Sequence, residues 1–397
     1  MHDYLDEWEA KVYALSVAAT HVCSKCVVDR ELWRRVEADT TLGRCDFCGI
    51  TSDSATFEDL TAGITEALYE FYVTADESGA YHEEGDWSER VEDVQEILID
   101  WLGDAVDSPV VVPLTRFAAA ANAVEYGFVR KADIWASLYD HDEAAWRAFM
   151  VEARSGDVGK AATDLLTRLN PRTVALLERV TQVAAAKGLF QVTRPSLWRC
   201  RAGGQDKNYH SAPDLGTAPA GRASAGRLNA AGHSCFYGST TERGAILEST
   251  KHAGEAPEFW IGQFEPSRPI YHLDVFEVPD PPSPFAIGAA DSHDALAFLR
   301  RFADSISQPN DTNDEGHYLP TQVFTAFLLA GIEPPEAIRF ASSIDSTSEN
   351  WVVFVDHEHC TDRQSPENSE LRLVLVQETA RHVSTAEVGS AIKARPS

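Results

Sequence analysis

The stretch "AGRLNAAGHSCFYGSTTERGAILES", residues 225–249, decides how the second half of the chain is interpreted. The two glycines that flank "RLNAA" predict a loop around Arg227, and "SCFYG" predicts a short strand that ends near Tyr237. Either threonine before "ERGAILES" is a candidate cap for a helix that carries Glu248. A loop arginine, a strand-end tyrosine and a helix glutamate can therefore converge on one cleft.

Short apolar runs surround this stretch, and glycine or proline separates them. Runs rich in β-branched and aromatic residues predict strands, whereas apolar residues at helical spacing predict helices. The predicted strands are "FWIGQF", "PIYHLDV", "EAIRFASS", "NWVVFVD" and "LRLVLVQE", and the predicted helices are "SHDALAFLRRFADSIS" and "LPTQVFTAFLLAGI". From about Arg194 onward the chain is therefore predicted to be α+β, with about six or more short strands.

The first half has a different pattern, because long apolar stripes at helical spacing run from about Thr51 to Gly188. In "FEDLTAGITEALYEFYV" apolar side chains recur every turn, and "WSERVEDVQEILIDWL" repeats that pattern. In "NPRTVALLERVTQVAAAKG" Asn170 is a candidate N-cap, Pro171 stands at the first helical position, and Gly188 follows the last turn. We predict a bundle of about four to six helices in this half.

Four of the seven cysteines form two close pairs, "CSKC" and "CDFC", with 18 residues between them. These cysteines are Cys23, Cys26, Cys45 and Cys48. Four thiolates on two tight turns provide the tetrahedral cage that zinc prefers, and they leave no coordination position for a substrate. Two disulfides are the alternative, which fits poorly with a chain that shows no export signal. We therefore predict a structural zinc ion.

The composition is that of a globular protein, with 44% hydrophobic and 24% charged residues, and a length of 397 residues predicts two or three domains. The net charge of -28 opposes binding to nucleic acid or anionic membranes, because the surface as a whole would repel a polyanion. No apolar run reaches the length of a membrane span, and the first residues lack the pattern of a signal peptide. The sequence predicts a cytoplasmic protein without membrane or nucleic-acid partners.

Residues from about 195 to 378 resemble the RES domain, a family named for its Arg, Glu and Ser. The matching segments are "LWRCR", "GRLNAAGHSCFYGSTTERGAILE", "YLPTQVFTAFLLAGI" and "IRFASSIDSTSENWVVF". The first half, with "VCSKCVVDRELW" followed by "GRCDFCG", resembles the HEPN/RES amino-terminal domain. The resemblance implies a zinc-binding module at 1–52, a helical HEPN-like domain at 53–190 and a RES catalytic domain at 195–385.

This resemblance implies an enzyme that degrades NAD at its nicotinamide ribosyl bond, in a mixed α/β fold similar to that of ADP-ribosylating toxins. Phosphorolysis, with inorganic phosphate as co-substrate, and hydrolysis both stay open. Family members are typically toxins of toxin–antitoxin pairs, so a protein antitoxin or regulatory partner is expected. Two alternatives are an ADP-ribosyltransferase that modifies a macromolecule and a non-catalytic protein whose zinc domain binds a partner.

The resemblance also implies a set of active-site side chains, namely Arg199, Arg227, Tyr237, Glu248 and Ser342. Glu248 would accept the ribose 2′-hydroxyl and stabilise the positive charge that builds as nicotinamide leaves. The two arginines would hold the diphosphate, because a planar guanidinium binds phosphate through two hydrogen bonds. Tyr237 would stack on nicotinamide or the ribose edge, and Ser342 would bond the ribose or an attacking phosphate.

Several of these positions have neighbours that are also candidates. Arg201 is a second candidate for the earlier arginine, and Ser343 is a second candidate for the serine. Asn350 is expected either to bind substrate or to order the loop after the serine as a turn residue. Tyr318 and Gln322 are candidates for the lining of the pocket.

Overall fold

The computed structural model describes residues 17–78, 91–131, 169, 171–203, 209–219, 221–224, 226–229, 232–252, 258–307, 319–345, 347–363 and 370–393. The chain forms two compact units. One consists of Met1–Asp133 with Pro281–Asp294, and the other of Ile134–Asp280 with Ala295–Ser397. The three-part division expected from the sequence stays a prediction.

The first unit begins with a three-stranded antiparallel sheet in the order β1-β3-β2. Its elements are β1 (His21–Cys23), α1 (Arg30–Val36), β2 (Thr41–Arg44) and β3 (Thr51–Thr56). The side chain of Asp29 caps α1 by accepting hydrogen bonds from the backbone N–H groups of Glu31 and Leu32. One cysteine pair follows from the end of β1 and the other lies between β2 and β3, so the sheet brings both pairs together.

Helices and a second small sheet form the rest of the first unit. The elements are α2 (Phe57–Phe71), β4 (Tyr72–Thr74), α3 (Ala75–Ser78), β5 (Val91–Glu92), α4 (Val94–Ala105), α5 (Ser108–Ala121) and β6 (Phe128–Arg130). A capping box of Thr56 and Asp59 starts α2, and its predicted apolar stripe is buried. The stripes of α2, α4 and α5 share one core with Phe285 of the segment 281–294 and with three of the four paired cysteines.

The first unit also contains short strands that were not predicted from the sequence. Strands β4, β6 and β5 pair as an antiparallel sheet among the helices. Each of these strands has only two or three residues, which is too short for the alternation that reveals a strand in a sequence. The helix expected near Pro171 is present as α6 (Pro171–Ala186), but it belongs to the second unit, and its expected cap Asn170 lies outside the described residues.

A nine-stranded mixed sheet is the centre of the second unit, in the order β14-β15-β10-β8-β9-β13-β12-β11-β7. Its strands are β7 (Phe190–Thr193), β8 (Leu197–Gly203), β9 (Phe236–Ser239), β10 (Glu258–Pro266), β11 (Ile270–Asp274), β12 (Ala337–Ala341), β13 (Glu349–Val353), β14 (Cys360–Thr361) and β15 (Leu373–Val383). The pairs β11–β12 and β14–β15 are parallel, and the other pairs are antiparallel. All five runs predicted as strands lie in this sheet, which confirms those predictions.

The helices that follow α6 are α7 (Ala212–Leu215), α8 (Glu242–His252), α9 (Ala290–Ser307), α10 (Leu319–Leu329) and α11 (Thr385–Lys393), and they belong to the second unit except for residues 290–294 of α9. Thr241 caps α8, because its hydroxyl accepts a hydrogen bond from the N–H of Gly244 at 3.0 Å. Leu197, Phe236 and Phe264 are fully buried in the sheet that α8 packs on, and each contributes about 2 kcal/mol. Within the described residues no helix is long and apolar enough to cross a membrane.

Candidate active site

A cavity of about 610 Å³ lies in the second unit, where β8, β9 and β13 meet α8 and the loop of Arg227. This volume is in the range of small-molecule sites. Among the described residues, its charged lining consists of three guanidinium groups and one carboxylate, from Arg199, Arg201, Arg227 and Glu248. In a chain whose net charge is -28, this part of the lining has a positive net charge.

The carboxylate of Glu248 is held by two hydrogen bonds to the same oxygen. Its Oε1 accepts from the hydroxyl of Ser342 at 3.1 Å and from Nδ2 of Asn350 at 2.8 Å. Glu248 is presented by α8, Asn350 by β13, and Ser342 by the turn that follows β12. Both donors are buried, so they fix the orientation of the carboxylate. The other carboxylate oxygen, Oε2, takes no part in these two bonds.

The structure separates the two candidate serines. Ser342 is only 8% exposed, and its Oγ accepts from the backbone N–H groups of Ile344 and Asp345 while it donates to Glu248. Ser343 is exposed. Ser342 does not itself line the cavity but contacts it through the carboxylate.

Arg199 and Arg201 are two positions apart on β8, but their guanidinium groups have different surroundings. The ring of Phe236 lies under the Arg199 guanidinium, 4.9 Å from its central carbon, and burial lowers the pKa of this guanidinium to about 10. Its Nη1 is buried and has no hydrogen-bond partner among the residues that the structure describes. Arg201 instead donates from Nη1 to the carbonyl of Asp214 at 2.5 Å and stacks on Tyr209.

Arg227 and Tyr237 also line the cavity. Arg227 donates from Nη1 to the carbonyl of Ile306, at 2.5 Å, in the last turn of α9. The hydroxyl of Tyr237 donates to Oδ1 of Asn229 at 2.7 Å, and burial raises the pKa of this phenol. Tyr237 therefore stays neutral and contributes a ring to the cavity.

The loop after Ser342 is ordered by Asp345, a residue that the sequence analysis did not identify. Burial acts to raise the pKa of Asp345, but hydrogen bonds from Thr347 and Ser348, with the charge of Arg243, outweigh it and lower that pKa. The carboxylate is therefore charged, and it bridges the start of α8 to the start of β13. An Asp that is followed by Thr and Ser is typical of such a turn, and that signal was present in the sequence.

The structure brings most of the expected residues together. Arg199, Arg201, Arg227, Tyr237, Glu248 and Asn350 all line one cavity. Gln322 does not line it and instead contacts the loop of Arg227, and Tyr318 lies outside the described residues. Trp198 and Trp351 also line the cavity, but they were not predicted to, because in the sequence they look like ordinary core residues.

The four paired cysteines of the first unit form a separate cluster, in which the four sulfur atoms lie within 4.8 Å of one another. Sγ of Cys23 is 3.5 Å from Sγ of Cys48, and Sγ of Cys45 is 3.8 Å from Sγ of Cys26. Four sulfurs around a zinc ion at its usual bond length are about 3.8 Å apart. The donor set and its spacing therefore fit a tetrahedral metal site.

The protonation of this cluster is uneven. Burial and the neighbouring thiols raise the pKa of Cys26. At Cys45 burial acts in the same direction, but backbone N–H groups, those of Cys48 first, outweigh it and lower the pKa to about 7. Four thiolates in so small a volume need a bound cation to balance their charge.

Two family models match the chain. The RES domain matches residues 196–375, and HEPN/RES N-terminal domain 1 matches residues 38–154. The comparisons with curated proteins and with solved structures gave no match. The first match contains every residue of the cavity described above, and the second contains Cys45 and Cys48 with the helices that follow. The chain is therefore a RES domain protein with an amino-terminal domain of the HEPN/RES type.

Proposed function

We propose that this protein cleaves the bond between nicotinamide and ribose in NAD, with the cavity around Glu248 as its active site. One observation carries the proposal: among the described residues, one carboxylate, fixed by Ser342 and Asn350, lines the same cavity as three arginines. Membership of the RES domain family supports an enzyme that acts on NAD.

The arginines are suited to the diphosphate of NAD. Arg199 has a buried Nη1 that lacks a partner among the described residues, and a phosphate oxygen would satisfy it. Among the described residues, Arg227 donates only from Nη1, to the carbonyls of Ile306 and Ser307, so its Nε and Nη2 could bind a phosphate. Arg201, which is bonded to Asp214 and stacked on Tyr209, would add positive charge at the edge of the site.

Glu248 would carry the bond cleavage. As the bond between the ribose C1 and the nicotinamide nitrogen breaks, its electron pair moves onto nicotinamide and positive charge develops on the ribose. Oε2 of Glu248 accepts the ribose 2′-hydroxyl and stabilises that charge, while Oε1 stays bonded to Ser342 and Asn350. The ring of Tyr237 stacks beside nicotinamide.

The acceptor at the ribose carbon is either phosphate or water. Water would give ADP-ribose and a proton, whereas inorganic phosphate would give a phosphorylated ADP-ribose. The cationic lining of the cavity is compatible with an anionic acceptor, and this supports phosphorolysis. As an enzyme that degrades NAD, the protein would act in the cytoplasm as a toxin. A protein antitoxin would be its partner.

The cysteine cluster would hold a structural zinc ion. Cys23, Cys26, Cys45 and Cys48 would supply all four ligands, so the ion would have no open position for a substrate. It would supply no chemistry to the reaction and would stabilise the fold of the first unit instead. The amino-terminal module at 1–52 and the helical domain at 53–190 would then regulate the RES domain or sense a signal for it.

The test is to incubate the purified full-length protein with NAD, with and without phosphate, and to identify the products by chromatography and mass spectrometry. We expect free nicotinamide with ADP-ribose or its phosphate. Radiolabel from the adenine of NAD that appears on protein or nucleic acid would indicate an ADP-ribosyltransferase instead. No nicotinamide under either condition would refute the proposal.

A further inference from the structure

The loop that carries Arg227 is held by an unusual number of side-chain bonds to its backbone. Nε2 of Gln322 donates to the carbonyl of Gly226 at 2.5 Å and to the carbonyl of Asn229 at 3.1 Å. The hydroxyl of Thr321 donates to the carbonyl of Arg227 at 2.6 Å. Two neighbouring residues in the first turn of α10 thus bind three carbonyls of one short loop.

Asn229 holds the same loop from within. Its Nδ2 donates to the carbonyls of Ser224 and His233, both at 2.9 Å, and its Oδ1 accepts from the hydroxyl of Tyr237 at 2.7 Å. The side-chain amide therefore uses both N–H groups and its oxygen. A side chain at Gly226 would meet that network, because an added Cβ would lie 2.4 Å from Oδ1 of Asn229.

These residues are buried and lie outside the cavity. Asn229 is 6% exposed and Gln322 is 4% exposed, and neither lines the cavity, whereas Gly226, Arg227 and Tyr237 do. Their polar groups face the loop backbone. They therefore cannot touch the substrate directly and act only through the residues that do.

We propose that Gln322 and Asn229 are positioning residues that fix the backbone of Arg227, and that their bonds set the affinity of the site for the diphosphate of NAD. In this arrangement two groups of residues have separate positioning roles. Ser342 and Asn350 orient Glu248 for bond cleavage, and Gln322 and Asn229 hold Arg227 for binding. Loss of the second group should raise KM while kcat changes little.

The kinetic part of this inference rests on the proposed function. The decisive variants are Gln322→Met, which removes both donors at similar volume, and Gln322→Glu, which places an acceptor against two carbonyls. Gln263→Glu is the matched control, because Nε2 of Gln263 bonds Ser196 on another part of the sheet. A carboxylate in the first turn of α10 is favourable to the helix dipole, so Gln322→Glu does not weaken the helix itself.

We expect KM for NAD to rise about tenfold in both Gln322 variants, which corresponds to the loss of one or two hydrogen bonds. In Gln322→Glu the defect should shrink as the pH is lowered, because a protonated carboxyl group can donate one of the lost bonds. Gln322→Met should show no such recovery. Gln263→Glu should keep the wild-type KM at every pH.

Hydrogen exchange of the loop amides gives a readout that needs no turnover. The amide of Gly226 donates to the carbonyl of Asn229 at 2.9 Å, and we expect it to exchange faster in Gln322→Met than in the wild type. If the wild-type protein releases no nicotinamide, the proposed function fails and the exchange data alone decide this inference. Unchanged exchange in a folded Gln322→Met would overturn it, as would a wild-type KM in an active one.

Discussion

Two sites bring together groups that water would otherwise solvate: the cysteine cluster of the first unit and the arginine-lined cavity of the second. They differ in the partner that these groups need. In the cluster, four sulfur atoms lie within 4.8 Å of one another, and one ion can bind all of them. The cavity has a volume of about 610 Å³, and Nη1 of Arg199 in its lining has no partner among the described residues.

This difference is the one expected between a structural metal site and a substrate-binding site. When one ion binds all four sulfur atoms of a cluster, the free energy of metal binding contributes to the stability of the fold. A cavity that keeps buried groups unsatisfied costs stability until a ligand supplies the missing partners. Removal of a metal ligand should therefore destabilise the fold, whereas removal of an unsatisfied buried group such as the Arg199 guanidinium should stabilise it.

Loss of the metal should have the largest effect. Replacement of Cys26 by Ser, or treatment with a strong chelator, should remove a contribution on the order of 10 kcal/mol and unfold the first unit. Circular dichroism during heating, with zinc content from mass spectrometry, measures both changes. Cys360→Ser is the control, since Cys360 is equally buried but lies in the second unit. A Cys26→Ser protein that melts like the wild type would contradict a structural metal.

The second effect concerns the cavity. The amide oxygen in Glu248→Gln can still accept the hydrogen bonds from Ser342 and Asn350. The substitution nevertheless removes the negative charge that stabilises the ribose cation. We expect kcat to fall about a thousandfold with little change in the free energy of unfolding. Release of nicotinamide and thermal melting check the two parts. Glu265→Gln, an exposed glutamate on β10, should leave both quantities unchanged.

The two sites also differ in how far the sequence predicts them. The cysteine cluster follows from two CxxC pairs, because a short spacing fixes which side chains can meet. The cavity is assembled from β8, β9, α8, the turn after β12 and β13, which lie far apart in the chain. The longer strands and helices were predictable from their apolar patterns, and the family resemblance identified several of the polar residues that line the cavity.

The roles of the polar residues were less predictable. Ser342 was expected to bond the ribose or a phosphate, and the structure places its hydroxyl on Glu248. Asn229 was not identified, because an asparagine between loop residues is typical of an ordinary turn. Such contacts depend on the tertiary arrangement of several elements. For the same reason the short strands of the first unit were missed, since two or three residues carry no alternation.

Arg199 tests the claim that the cavity costs stability. Burial lowers the pKa of its guanidinium to about 10, so below that pH the folded state carries an unfavourable charge. The penalty is relieved only above pH 10, where the folded protein loses the proton before the unfolded chain does. Arg199→Met should therefore raise Tm by about 2–4 °C at neutral pH. It should weaken the binding of NAD about a hundredfold, because the diphosphate loses a charged donor.

Arg201→Met is the comparison for this prediction. Arg201 donates to the carbonyl of Asp214 and stacks on Tyr209, so its removal leaves a carbonyl without a donor and should lower Tm. Calorimetry provides both the melting temperature and the affinity for NAD. Opposite shifts in Tm support the distinction between the two arginines. A lower Tm for both variants would show that Arg199 stabilises the fold in the absence of substrate.

The smallest effect is expected at Ser342. Ser342→Ala removes one of the two donors to Oε1 of Glu248 but leaves Asn350 in place, so kcat should fall about tenfold and KM should change little. Ser342→Thr keeps a hydroxyl at the same position and should restore most of the activity. Ser343→Ala should behave as the wild type, because Ser343 is exposed.

The loss of an acceptor for two backbone N–H groups will also lower Tm in Ser342→Ala. The rescue by threonine separates the two roles, since a purely structural serine would leave kcat at saturating NAD unchanged in every variant that folds.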